Sequence, residues 1–220
     1  MAAFAAIINY KKFKKTEVKY FIFFLVYVAL EDFLGGYTTF ASKYSFLDGL
    51  QETIEGTFFE YNYWWFTLFW YIGSTVFFTF YYCKILKNEI FRKIIKYSCV
   101  LFLIVSAVII LNDLHAFSSS YIYTINIFGA IIILASVIFY FIEVLNSDKI
   151  LSIHKSINFV ISVAIFIWWL IITPIMFFDV YFSKEDWNFV ILRYQVFLFV
   201  NFFMYTTFAI SLFLLKPLDE

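Results

Sequence analysis

Few residues in this chain combine reactive chemistry with suggestive spacing, and most of them are carboxylates set in apolar surroundings. Glu31 completes a row with Tyr20, Phe24 and Tyr27, at intervals of four, three and four residues, so all four share one helix face. Glu60 opens a similar row with Trp64, Thr67, Tyr71 and Thr75. Another apolar run ends in Asn112, Asp113 and His115. A later one holds Trp168, Trp169, Thr173 and Pro174 before Asp179, and Arg193, Tyr194, Asn201 and Tyr205 share a face of the last. If these faces converge, they form a polar cavity walled by aromatic rings, in which Arg193 is the cation available to Glu31, Glu60 or Asp179. The candidate ligand-cavity residues are therefore Glu31, Glu60, Trp64, Tyr71, Asp113, His115, Asp179, Arg193, Tyr194 and Asn201. A second reading stays open for the same residues: charges near a membrane interface reach water, aromatics there anchor the helix, and Arg193 serves as a structural ion-pair partner.

Other chemistries lack their residues. Two histidines in the whole chain cannot supply a three-histidine zinc centre, and no CxxC, HExxH or calcium-loop spacing occurs, so neither a metal nor another cofactor is expected. The last apolar run contains no lysine before Lys216 that could carry retinal. Ser152 and His154, the only neighbouring serine and histidine, sit in a charged loop without a Gly-x-Ser setting. No catalytic constellation is recognisable, and a non-enzymatic role is expected. Cys83 and Cys99 flank a basic loop that the charge pattern places in the cytoplasm, where thiols stay reduced.

The elements that must position these side chains follow from the bulk composition. Of 220 residues, 64% are hydrophobic and 15% charged, with a mean hydropathy of +0.86. A soluble domain keeps roughly a quarter of its residues charged. So apolar a chain uses lipid as its solvent, which restricts the backbone to helices of about 20 residues. The sequence predicts an all-α polytopic transmembrane helix bundle forming a single domain over residues 1–220. Six full spans are expected at about 18–37, 61–82, 96–117, 122–145, 157–182 and 189–215, with a short half-span helix over 1–10, where MAAFAAIINY reaches only about half the hydrocarbon.

Lysine and arginine set the orientation, because the insertion machinery holds them on the cytoplasmic side. Lys11 to Lys19, Lys84 to Lys96, Lys149 with Lys155, and Lys216 fall on alternate connections; the others carry Lys43 and Lys184, with Arg193 just inside the last helix. The C-terminus is therefore expected in the cytoplasm, and the acidic connection 38–60 outside, with a short interfacial helix. A net charge of zero gives no reason to expect direct nucleic-acid binding.

The run YFIEVLNSDKILSIHKSINFVISVAIFIWW, together with FFEYNYWWFTLFWY and YYCKILKNEIFRKIIK, resembles a family of uncharacterised small seven-helix inner-membrane proteins of Gram-negative bacteria. The resemblance runs from Lys11 to about Trp169. It implies a multi-pass protein of the bacterial plasma (inner) membrane, from a family whose genes often neighbour sensor kinases. Two departures stand out: the family's first helix is full length, and its loop proline is replaced here by Ser156 and Ile157. The family brings no catalytic residues.

Three functions compete. The first is a sensor or signalling component with an outward cavity, whose basic cytoplasmic loops 84–96 and 147–156 touch a cytoplasmic or membrane protein. The second is a homo-oligomeric effector, scaffold or pore; the third is a small proton-coupled transporter using Glu31 and Glu60. The polar rows favour one half of the bilayer, which suits a sensor better than a pore.

Overall fold

A computed structural model describes residues 1–44, 48–147, 153, 155–178 and 187–216, and it contains helices and no strands among them. In chain order these are α1 (Ala2–Phe13), α2 (Val18–Gly35), α3 (Tyr37–Lys43), α4 (Asp48–Ile54), α5 (Tyr63–Trp65), a π-helix (Phe66–Ile72), α6 (Gly73–Ile85), α7 (Glu89–Asn112), α8 (Leu114–Ser119), α9 (Tyr123–Leu145), α10 (Ile157–Phe178) and α11 (Trp187–Leu214).

Four of them, α7, α9, α10 and α11, are long and apolar enough to cross a membrane, with mean hydropathies of 1.9 to 2.6. Their outward faces are apolar too: Leu101, Ile104 and Leu111 on α7 and Leu198, Phe199 and Phe202 on α11 are all exposed. Helices apolar on both faces suit a lipid surround. The other two expected spans differ in kind. α2 has Lys19, Glu31 and Asp32 within 18 residues, and the second is assembled from α5, the π-helix and α6.

Two expected boundaries are corrected. The third run does not begin at Lys96: α7 starts at Glu89, because Asn88 Oδ1 accepts the N–H groups of Ile90 and Phe91 as an N-cap. Glu143 at the end of α9 accepts the N–H groups of Asn88 and Lys87 at 2.7 and 2.9 Å. Nor does that helix continue to Phe117. The backbone turns at Asp113, whose side chain caps α8 by accepting Ala116 N–H at 2.8 Å. The connection 38–60 holds two short helices, α3 and α4.

α1 packs on α2 and α11, α11 on α10, α10 on α9, and α9 on the π-helix and α6; α2 meets the π-helix and α6, closing the ring. α7 lies outside it against α6 and α9. Ala2 and Ala6 are buried on α1, small side chains that let neighbouring backbones approach. Lys12 then caps α11 by donating to the carbonyls of Leu212 and Phe213, each at 3.0 Å.

The half of the bundle nearest the lysines is filled. Phe21, Tyr81, Tyr82, Ile133, Ile161 and Leu212 are fully buried there, and the rings of Phe21 and Phe208 meet edge to face at 4.8 Å. Two polar pairs cross between helices there: Tyr81 donates to Asn158 Oδ1 and Tyr82 to Ser162 Oγ, both at 2.8 Å.

Candidate ligand cavity

The opposite half is shaped by the junction of α2 with the π-helix. Gly35 has no side chain because the Trp65 indole occupies that space; a Cβ there would sit 2.7 Å from Trp65 Cδ1. The indole N–H donates to Glu31 O at 3.1 Å, and Asn62 Nδ2 donates to Gly35 O at 2.7 Å, so the end of α2 is strapped to the start of α5. The wider turns of Phe66–Ile72 then rotate Phe66, Trp70 and Tyr71 toward the bundle axis, with Tyr27 donating to Phe69 O and Thr75 to Tyr71 O, each at 2.8 Å. Such π-segments recur at functional sites.

Between these residues and α9, α10 and α11 lies a cavity of about 210 Å³, lined by Asp32, Phe66, Trp70, Tyr71, Asn126, Trp168, Ile172, Met176, Phe197, Asn201 and Tyr205. Trp168 stands edge-on to Trp70 at 5.8 Å and donates its indole N–H to Asn201 Oδ1 at 2.7 Å. Tyr71 meets Tyr121 edge-on at 5.2 Å, and Asn126 Nδ2 donates to the Tyr121 hydroxyl. That leaves Asn126 Oδ1 buried and without a partner. Glu31, beside Asp32, is 3% exposed with both carboxylate oxygens unpartnered.

The cavity gathers only part of the expected set. Tyr71 and Asn201 line it, and Glu31 stands behind its wall. Glu60 does not join them: it lies before the first turn of α5 and accepts the N–H of Gly56, a glycine at φ +69°, so its row breaks where the backbone leaves the helix. Trp64 donates to the Tyr37 hydroxyl at 3.3 Å and packs on Phe58 and Phe59 in an aromatic cap above α5. Asp113 and His115 belong to the α7–α8 turn, where Ser119 donates to His115 O. Of the three carboxylates expected as partners of Arg193, Glu31 has no hydrogen bond and Asp179 is outside the described residues; the Arg193 guanidinium lies 5.5 Å from the ring centre of Tyr194, which is exposed.

Three contributors were harder to read. Tyr205 was visible one turn beyond Asn201 on the same face. Asn126 showed only as a lone amide near the start of an apolar run, and Trp70 fell off the α-helical row because the π-turns shift the register.

No protein-family model, curated protein or solved structure matches the chain.

Proposed function

We propose that the protein is a multi-pass sensor or signalling component of a bacterial inner membrane, related to the seven-helix proteins it resembles, and that the cavity is its ligand site. In this reading α2, the α5–π–α6 segment, α7, α9, α10 and α11 are six spans and α1 is a half-span. The lysine-bearing ends and the C-terminus face the cytoplasm, and the cavity opens outward.

The observation that carries the reading is that the cavity is blind. It holds the unpartnered Asn126 Oδ1 at one end of the bundle, while the other end is closed by Phe21, Tyr81, Tyr82 and Phe208. A pore or carrier needs a polar path of greater depth; a receptor needs a pocket and a way to report on it. Glu143 supplies the second, since it joins α9, which bears Asn126, to the N-terminus of α7 in the basic loop.

Filling the cavity by Asn201→Phe in the full chain, reconstituted in nanodiscs, should change amide hydrogen exchange over residues 84–96. Unchanged protection there, with the variant folded, would remove the sensor reading. Solute flux into proteoliposomes would favour a transporter.

A further inference from the structure

Resting on the cavity being a ligand site, we propose that its ligand is a small organic ammonium cation. Among the lining residues the polar atom left buried and unpartnered is an acceptor. Asn126 lines the cavity at 2% exposure with Oδ1 unpartnered, its amide N–H₂ already engaged by Tyr121. The Trp168 N–H is likewise taken, by Asn201. Asp32 contributes a carboxylate to the wall, and the unpaired Glu31 carboxyl stands beside it.

No cationic side chain lines the cavity among the described residues. Asp32 sets a carboxylate in the wall with the buried Glu31 carboxyl behind it, so the site disfavours anions and gains from a cation. The remaining walls are ring faces and edges of Trp70, Tyr71, Trp168 and Tyr205, which attract alkylammonium groups. A hard metal ion would find too few oxygens, since calcium takes six to eight, roughly, and rings cannot replace them. Size narrows the class further: 210 Å³ is below the roughly 300 Å³ at which drug-sized pockets begin, so the cation has few heavy atoms.

The test uses the full-length protein in nanodiscs of neutral lipid, with tryptophan fluorescence and thermal stability read against n-propylammonium, n-propanol and propionate. Saturable binding of propylammonium alone is expected, weakened at least tenfold in Asp32→Asn and in Asn126→Leu and unchanged in Glu52→Gln, which alters an exposed carboxylate on α4. Equal binding of propanol or propionate overturns the cationic class and leaves the cavity a ligand site. Failure of all three overturns it as well. In that case a response of residues 84–96 to Asn201→Phe keeps the sensor reading, and silence there removes both.

Discussion

Trp168 and Asn201 are joined by an indole-to-amide hydrogen bond of 2.7 Å that ties α10 to α11 at the wall of the cavity. Hydrogen bonds between helices in a membrane contribute about 0.6 kcal/mol on average and up to about 1.7. A double-mutant cycle of Trp168→Phe and Asn201→Leu, followed by steric trapping in bicelles, should return a coupling in that range. A coupling near zero would mean that the two helices are held by packing alone.

Glu143 should be the strongest polar determinant of the α6–α7 turn, because its two oxygens take two N–H groups at a helix start. Glu143→Ala is expected to cost about 0.5–2 kcal/mol, the range for a lost N-cap. Glu143→Gln, which keeps one acceptor oxygen, should lose less. Accelerated hydrogen exchange confined to residues 87–91 would identify the cause.

Two glycines should respond oppositely to alanine. A Cβ on Gly129 would lie 2.5 Å from Thr75 Oγ1, where α9 crosses α6, whereas Gly49 in α4 has open space around it. Gly129→Ala is expected to destabilise by about 1–3 kcal/mol through overpacking. Gly49→Ala should be neutral or stabilise by up to about 1 kcal/mol from helix propensity. Thermal unfolding of the two variants side by side decides it.

The proposed orientation predicts labelling. With Cys83 and Cys99 replaced, a cysteine at Lys87 should resist an impermeant maleimide in intact cells, and one at Thr57 should react. Reaction at position 87 would invert the bundle and place the cavity on the cytoplasmic side.

The C-terminal ends of α9 and α11 and the start of α10 were legible to within a few residues because the apolar runs are bounded by Asn146, Lys216 and Ser156. The start of α7 was not. Its first two turns, from Glu89 to Lys96, carry enough charge to read as a loop, yet a helix continues past the apolar run once Asn88 and Glu143 satisfy its open N–H groups. Residue rows failed where the backbone departs from 3.6 residues per turn. Glu60 was extrapolated across a turn, the π-helix swung Trp70 inward, and the break at Asp113 turned a presumed span end into a cap for α8. Propensity does not distinguish an i+5 from an i+4 ladder, so the cavity wall became readable only with the backbone in view.

The clasp of Lys12 on Leu212 and Phe213 joins positions 200 residues apart. At about 5–20 residues per second of synthesis, roughly 10–40 s separate the emergence of the two partners from the ribosome. During that interval α1 can rest on α2 only, with the face that α11 later covers still open. Closure of the ring thus waits for α11, and a nascent chain stalled before that helix keeps the matching face of α1 unburied.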